Sequence, residues 1–134
     1  AASMPSSIEV PHFHTTEELE KAIAGLAPSS VLVVKLGATW CKPCKKVEPA
    51  FVALATSSAW DASFAAVDLS DMDEEPALEG VKDFCGCEKI PHFAFFKGGV
   101  RVEGMQTSDI AVVKSALAAH ANPMMAIDDD DLDF

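Results

Sequence analysis

The stretch WCKPC, residues 40–44, carries two cysteines three positions apart, and the sequence on either side of it predicts where they lie in the fold. The run before it, residues 31–36, is almost entirely apolar and β-branched, which is typical of a central strand covered on both faces. After the stretch, apolar residues recur at the spacing of one helix face: Val47, Phe51 and Leu54. The two thiols are therefore predicted to lie where the loop after a strand enters the N-terminus of a helix.

This position makes the two thiols chemically unequal. The free N–H groups and the dipole of a helix N-terminus favour negative charge, so we expect the sulfur of Cys41 to be the thiolate. Cys44 stands deeper in the helix and is expected to be less exposed. We predict that Cys41 attacks a substrate disulfide and that Cys44 resolves the mixed disulfide, which leaves the site oxidised. A redox-active Cys41–Cys44 disulfide is the only redox group this chemistry needs, so no separate cofactor and no metal are expected.

The first half of the chain shows strand and helix patterns on both sides of this motif. Residues 8–13 alternate between apolar and polar types and predict a short edge strand. Thr15 and Glu18 form a capping box at the start of a helix. Residues 64–69 predict a further strand, and Pro76 is expected in the first turn of the helix that follows it.

The second half of the chain predicts a hairpin and a last helix. Residues 92–97 and 100–103 read as strands, and the glycines at 98–99 suit a tight turn between them. Thr107 or Ser108 is expected to cap the last helix. Strands joined by helices run parallel and a hairpin is antiparallel, so the sequence predicts a single α/β domain with a mixed sheet.

Taken together and in chain order, several short motifs resemble the thioredoxin family. They are ATWCKPCK at residues 38–45, Pro49, Ile90-Pro91 before a Phe-rich strand, FKGG at residues 96–99, and Gly104. The resemblance implies a thioredoxin fold, with a central mixed sheet of four to five strands and helices on both faces. It covers residues 8–121, which leaves residues 1–7 as an N-terminal extension and residues 122–134 as an acidic C-terminal tail. Ala1-Ala2-Ser3 before Met4 is typical of a cloning remnant.

The resemblance also assigns roles around the thiols. It implies that the bond before Pro91 is cis, and that the loop of Ile90 and Pro91 faces the thiols and pairs with the substrate backbone. Trp40 is expected beside Cys41 as part of the docking surface. His92 stands where the family usually has threonine, so we expect it to influence substrate choice or the chemistry of the nearby thiols.

Two lysines depart from the family pattern, and both support the active site together with Pro43. Lys42 replaces the usual glycine, and a cation between the thiols stabilises the Cys41 thiolate. The reduction potential of the Cys41–Cys44 disulfide should then be somewhat less negative than the roughly −270 mV of thioredoxin. Lys35 replaces a buried acid that assists proton transfer at the second cysteine. Because burying a lone ammonium is costly, Lys35 is expected to be snorkelled, paired or partly neutral, and resolution by Cys44 should be slow.

A second cysteine pair, Cys85 and Cys87, leaves alternatives open. The two thiols are either packed without a chemical role or form a regulatory pair that is oxidised or glutathionylated. A zinc site built from all four cysteines is disfavoured, because Cys-x-Cys is a poor spacing for clamping a metal. The pair lies in residues 71–91, a segment longer than is usual in the family and therefore a candidate specificity element.

Composition limits the class of partner. The chain has 134 residues and a formal net charge of −11, so neither nucleic acid nor an anionic membrane surface is an expected partner. No apolar run approaches the roughly 20 residues of a membrane span. Four cysteines in two close pairs indicate chemistry rather than a disulfide scaffold. No basic, apolar, small-residue pattern of a signal peptide opens the sequence, so we expect a reducing, cytoplasmic location.

Two hypotheses follow from these patterns. The first is a protein-disulfide reductase that acts on disulfide-containing client proteins and is recharged by an upstream disulfide reductase. The alternative is a thioredoxin-fold adaptor with weak redox activity, which docks partners through the acidic tail and residues 71–91. Both cysteines are present, which favours the enzyme, whereas Lys35 is the main feature that favours the adaptor.

Overall fold

The computed structural model describes residues 10–57 and 60–122 and contains a four-stranded mixed sheet. Its strands are β1 (Val31–Gly37), β2 (Ala62–Asp68), β3 (His92–Lys97) and β4 (Val100–Gln106). The spatial order is β2-β1-β3-β4. β1 pairs in parallel with β2 and antiparallel with β3, and β3 pairs antiparallel with β4. The predicted mixed sheet is confirmed.

Four helices cover the two faces of this sheet. They are α1 (Thr16–Ala24), α2 (Lys42–Thr56), α3 (Ala77–Phe84) and α4 (Ile110–His120). Leu19 of α1 and Leu78 of α3 belong to one buried cluster, whereas Phe51 of α2 and Leu117 of α4 belong to another. The sheet therefore separates two apolar cores, and the predicted thioredoxin fold is confirmed.

Strand β1 lies in the middle of the sheet and is buried along all seven residues. Its alternate side chains point to opposite faces, so Val33 packs in the core under α2 and α4 while Val34 packs in the core under α1 and α3. This double burial explains the nearly continuous apolar sequence. Lys35 interrupts that sequence and is nevertheless buried.

The predicted edge strand at residues 8–13 is wrong for the residues that the structure describes. Residues 10–13 form only an isolated parallel bridge between His12 and Ala66. Phe13 N donates to Ala66 O at 3.0 Å, and Ala66 N donates to Pro11 O at 2.9 Å. Pro11 has no N–H to donate, so the ladder cannot extend through it.

The ends of the helices confirm one predicted cap and correct another. Glu18 N donates to Thr15 Oγ1 at 3.1 Å, and Thr15 N donates to the Glu18 carboxylate at 3.3 Å, which completes the predicted capping box. α4 is capped by Asp109, which accepts from Ala111 N at 3.0 Å, instead of by Thr107 or Ser108. Asp109 has the extended backbone angles of an N-cap residue, and its carboxylate reaches the backbone N two residues on.

Pro76 lies at the start of α3, as predicted. It directly precedes Ala77, has helical backbone angles, and its carbonyl accepts from Glu79 N at 3.0 Å. The hairpin between β3 and β4 is confirmed, because Gly98 and Gly99 both have positive φ, as a tight turn of this kind requires. β4 extends beyond the predicted residues 100–103, and a bulge between Phe95 and Phe96 interrupts its register with β3.

The predicted N-terminal extension and almost all of the acidic tail lie outside the described residues. Within residues 10–57 and 60–122, no helix is long and apolar enough to cross a bilayer. Asn122, the last described residue, accepts a 2.8 Å hydrogen bond from Asp61 N, beside the start of β1. The described chain therefore ends near Val31, the first residue of β1. The WCKPC stretch follows the other end of this strand.

Candidate functional site

Cys41 and Cys44 form a disulfide at the N-terminus of α2. Cys41 is the N-cap residue, and its sulfur accepts a hydrogen bond from Cys44 N at 3.2 Å. The two Cα atoms are 5.3 Å apart, which suits a bond between residues three positions apart. Pro43 lies in the first turn, where a missing N–H leaves no acceptor unsatisfied. The predicted strand–loop–helix setting of the two thiols is confirmed.

The surface around the pair is polar on one side and aromatic on the other. Trp40 is 69% exposed, while Cys41 is 7% and Cys44 is 2% exposed. Lys42 and Pro43 are also exposed. Cys41 is thus the sulfur nearer to solvent, and Trp40 offers a large apolar surface directly beside it.

The loop before β3 approaches the thiols as the resemblance implies. The Ile90–Pro91 peptide bond is cis, which confirms that expectation. Ile90 packs against the small buried cluster of Ala38, Cys41 and Cys44. Pro91 is buried, and its carbonyl accepts from Thr107 N at 3.2 Å. The roles of Ile90, Pro91 and Trp40 in binding a client stay predictions.

Lys35 lies in β1 on the same face of the sheet as α2. Its ammonium is 3.7 Å from the carboxylate of Glu48, a residue that the sequence analysis did not select. Of the three expected states of Lys35, the structure thus shows the paired one. A Cβ atom built on Gly37 would lie 3.2 Å from Cys44 Sγ and 3.5 Å from Lys35 Nζ. The Cys44 sulfur and the ammonium are therefore within about 7 Å of each other.

A cavity of about 210 Å³ opens beside these groups. Cys44, Lys35 and Glu48 all line it, and the remaining lining residues are His12, Gly37, Ala38, Thr39, Lys45, Ala66, Val67 and Asp68. Its wall contains several charged side chains and is open to solvent on one side. The resolving cysteine therefore has a polar space behind it, although it is almost completely buried.

A hydrogen-bond network fixes the loop that precedes Trp40. Ser70 Oγ accepts from Thr39 N at 2.7 Å and donates to Asp68 at 2.5 Å. Leu69 N donates to Gly37 O at 2.8 Å. This network joins the ends of β1 and β2, and thereby anchors the loop that carries Trp40 and Cys41. Nothing in the local spacing of the sequence identified it, because its partners lie 31 residues apart.

His92 is directed away from the disulfide. It pairs with Leu36 in the sheet and lies on the α1 and α3 side, opposite to Lys35. The side chain is 7% exposed, and its Nε2 has no hydrogen-bond partner. Burial lowers the pKa of His92 from its ordinary value of 6.5; a hydrogen bond to the Cys85 backbone opposes this shift and nearby Arg101 adds to it. An influence of His92 on substrates or thiols stays a prediction.

Cys85 and Cys87 lie in the core under α1 and α3, away from the cluster of Ala38, Cys41 and Cys44. Both are free thiols. Burial raises the pKa of Cys85 to about 12 and also raises that of Cys87. Since thiolates are the reactive form, this environment favours packed thiols over a regulatory pair. In the described ranges, no three His, Cys, Asp or Glu side chains are grouped as metal ligands.

Comparison with known proteins finds relatives over most of the chain. The thioredoxin family model matches residues 10–121. "Thioredoxin Asp f 29" from Aspergillus fumigatus is 33% identical over 102 residues, which are 75% of this chain and 84% of that protein. "Thioredoxin H-type" from Chlamydomonas reinhardtii is 31% identical over 90 residues, 67% of this chain and 74% of that protein.

Solved structures show the same similarity. The X-ray structure of Fasciola hepatica thioredoxin superimposes with a TM-score of 0.69 at 28% identity, over 83% of this chain and 99% of that one. The crystal structure of reduced Schistosoma mansoni thioredoxin superimposes with a TM-score of 0.70 at 27% identity, over 84% and 98% of the two chains. Fold and sequence thus agree over the region that contains both cysteines and the cis-proline.

Proposed function

The chain belongs to the thioredoxin family and is a protein-disulfide reductase, and we propose that Cys41 is its attacking thiol and Cys44 its resolving thiol. The observation that carries the assignment is the placement of Cys41 at the N-cap of α2, with its sulfur accepting from Cys44 N at 3.2 Å. An N–H donor and a helix N-terminus favour the thiolate on that sulfur by about 0.3–2 kcal/mol.

The exchange proceeds in two substitutions at sulfur. The Cys41 thiolate attacks one sulfur of a client disulfide, forms a new S–S bond, and expels the other client sulfur as a thiolate, which takes a proton from solvent. The Cys44 thiol then loses its proton and attacks Cys41 Sγ, so that the Cys41–Cys44 bond forms and the second client sulfur leaves. The client gains two electrons and the chain becomes the disulfide that the structure contains.

We assign client binding to the surface around the disulfide. Trp40, 69% exposed, provides apolar contact beside Cys41, and Ile90 packs against the buried side of the pair. The cis-proline loop would then pair with the extended backbone of a client. Disulfide-containing proteins are the substrates of this family. The surface formed by Trp40, Ile90 and the cis-proline loop, here called the active-site rim, would select among individual clients.

We propose that the oxidised chain is recharged by an upstream disulfide reductase and carries electrons from it to clients in the cytoplasm. The chemistry requires no bound cofactor, because the electrons reside on the two cysteine sulfurs. Regeneration can be measured with purified candidate reductases, and cell fractionation tests the location. A chain found in an oxidising compartment would contradict the proposed direction of electron flow.

A trapping experiment tests the order of attack. Cys44→Ser removes the resolving thiol, so the mixed disulfide between Cys41 and a disulfide-containing test protein should accumulate. Cys41→Ser is the matched control and should form no adduct at neutral pH, because Cys44 is only 2% exposed. Adducts that form through Cys44 in Cys41→Ser, and not through Cys41 in Cys44→Ser, would reverse the assignment.

A second function, docking of a partner through the acidic tail, is favoured by charge. The exposed lysines 42, 45 and 46 lie at the start of α2, close in sequence to the two cysteines, while residues 122–134 contain five aspartates. β1 spans roughly 23 Å, and the 12 residues after Asn122 can reach about 40 Å when extended. The tail of one chain can therefore reach its own active-site rim or that of a partner.

Deletion of residues 127–134 tests this docking. If the tail occupies the rim, deletion should raise the rate on a test disulfide, and the gain should shrink at high salt because exposed charges are screened. An adaptor role additionally requires that partner binding falls after deletion. Unchanged activity and unchanged binding would remove the tail from the function.

A further inference from the structure

We propose that Glu48 is the proton acceptor for Cys44, and that Lys35 is the positioning residue that holds Glu48 at the cavity behind this sulfur. Strand β1 places Lys35, a side chain that accepts no proton when charged, near Cys44, yet the second step still requires Cys44 to lose a proton. The inference rests on the proposed function of Cys44 as resolving thiol and names the group that serves it.

The helix brings Glu48 to the right side. Cys44 and Glu48 are four residues apart in α2 and therefore lie on one face, one turn from each other. Both line the 210 Å³ cavity, as does Lys35 from the strand beneath. The space exceeds the roughly 30 Å³ that one water occupies in the liquid, so solvent can connect the thiol with the carboxylate.

Lys35 cannot itself take this proton. A charged ammonium has no lone pair and accepts no proton, but it can attract both the Glu48 carboxylate and a developing Cys44 thiolate. It is 3.7 Å from the former and within about 7 Å of the latter. Because the Lys35 side chain is only 8% exposed, its charge acts through protein rather than through bulk water.

Glu48 combines access to the cavity with access to solvent. Its side chain is 56% exposed, so a proton taken from Cys44 can be released to water after each turnover. The other charged or titratable groups facing the cavity are His12, Lys45 and Asp68. Asp68 is engaged by Ser70, which donates to it from both its backbone N and its hydroxyl. Glu48 is the lining carboxylate that is paired with Lys35.

The step balances as follows. In the mixed disulfide, Cys44 transfers its thiol proton through the cavity to the Glu48 carboxylate, and the resulting thiolate attacks Cys41 Sγ. The Cys41–Cys44 bond forms while the Cys41–client bond breaks, and the client sulfur leaves with the electron pair. Glu48 then returns its proton to solvent. Lys35 stays protonated throughout.

The test follows one turnover of the reduced chain with a disulfide-containing test protein, quenched by acid and read by mass spectrometry from pH 5 to 9. Glu48→Gln removes the proton acceptor and keeps the side-chain shape, and Glu79→Gln, on the exposed face of α3, is the matched control. We expect formation of the mixed disulfide to be unchanged by Glu48→Gln. Its resolution should slow by about tenfold, less than the roughly 10²–10⁴-fold typical of general bases, because Glu48 is half exposed.

Two further variants separate this role from a structural one. Glu48→Asp keeps a carboxylate and should restore part of the rate, whereas Lys35→Met should move the midpoint of the resolution pH profile upward. If Glu48→Gln resolves with the parental rate and pH profile, or slows both steps equally, the inference is overturned while the assignment of Cys44 stands. If the parent chain forms no mixed disulfide at all, the proposed function fails first.

Discussion

Gly37 lies directly against Cys44: a Cβ atom at position 37 would meet both Cβ and Sγ of that cysteine at 3.2 Å. Gly37 is the last residue of β1, and Cys44 is in the first turn of α2. The close approach of β1 and α2 at this point fixes the position of the buried Cys44 sulfur. A side chain at position 37 would occupy the space through which Cys44 must move to attack.

Gly37→Ala is therefore expected to lower the free energy of unfolding by about 1–2 kcal/mol and to slow resolution by Cys44. Chemical denaturation measures the first effect and single-turnover kinetics the second. Gly25→Ala is the matched control, since a Cβ there would lie 3.5 Å from Lys21 O and 3.8 Å from Ala22 O, which are ordinary contacts. It should be neutral or stabilise by up to about 1 kcal/mol. Equal effects of the two substitutions would show that Cys44 is not closely packed against position 37.

Lys35→Asp is expected to accelerate reduction of a protein disulfide. A buried carboxylate at this position can take the Cys44 proton directly, whereas Lys35 cannot accept one. The measurement is the turnover rate on a test protein with excess reductant. Lys114→Asp, on the exposed surface of α4, makes the same charge change away from the site. A Lys35→Asp variant no faster than its parent would refute the prediction that Lys35 slows resolution.

Removing the charge between the thiols should make the reduction potential of the Cys41–Cys44 pair more negative. Lys42 is exposed, so its stabilisation of the Cys41 thiolate is worth at most about 1 kcal/mol. Lys42→Gln is then expected to shift the potential by roughly 5–20 mV toward more negative values, and the shift should shrink at high salt. Equilibration with a glutathione buffer measures it. A shift in the opposite direction would contradict the assumed effect of Lys42.

The second cysteine pair should be inert in the folded chain. Burial raises the pKa of Cys85 to about 12 and raises that of Cys87, so both remain protonated thiols at pH 8. Alkylation of the reduced chain at pH 8, read by mass spectrometry, should label Cys41 first. Cys85 and Cys87 should react only after denaturant is added. Rapid labelling of either thiol in the folded chain would support the regulatory alternative instead.

His92 should make stability depend on pH. Its folded pKa lies below 6.5 because burial disfavours the charged ring, so the unfolded chain binds the proton more readily. The free energy of unfolding is therefore fully available above pH 6.5 and decreases as the pH falls from 6.5 through the folded pKa. His92→Gln should flatten this part of the profile in denaturation experiments.

The exposed His14 offers the control for this experiment, because its ring lies at the surface, 3.5 Å from the carboxylate of Glu75. His14→Gln should keep the slope of the parent. If His92→Gln also keeps that slope, the dependence comes from other groups, and His92 is not held neutral by folding.

The sequence was most informative where a pattern has one physical meaning. β1 could be predicted from an apolar run that both cores require, and the thiol pair from its place before a helix. The cap of α4 could not be predicted correctly, because Thr107, Ser108 and Asp109 are all residue types that cap helices well. Which of them serves depends on where the backbone turns into the helix, and that is known only from the structure. The edge strand failed because an alternating pattern says nothing about how many hydrogen bonds a segment with Pro11 can form.

The parts of the site that spacing could not reveal depend on contacts between elements. Glu48 has the helical spacing to lie beside Cys44, but its pairing with Lys35 depends on how α2 crosses β1. His92 follows the cis-proline directly, yet the alternation of β3 turns its ring to the other face of the sheet. Sequence could place both residues near the site but could not give the direction of either side chain.

The burial of β1 on both sides has a consequence for how this protein can change over time. Side chains at positions 32, 34 and 36 belong to one core, while those at 31 and 33 belong to the other, which also holds residues of α2. Repacking in the α1 and α3 half would reach the thiols through Ile90, which packs against both that core and the cluster of Ala38, Cys41 and Cys44. Substitutions in that half are therefore tolerated over time only where they keep Ile90 against the thiols.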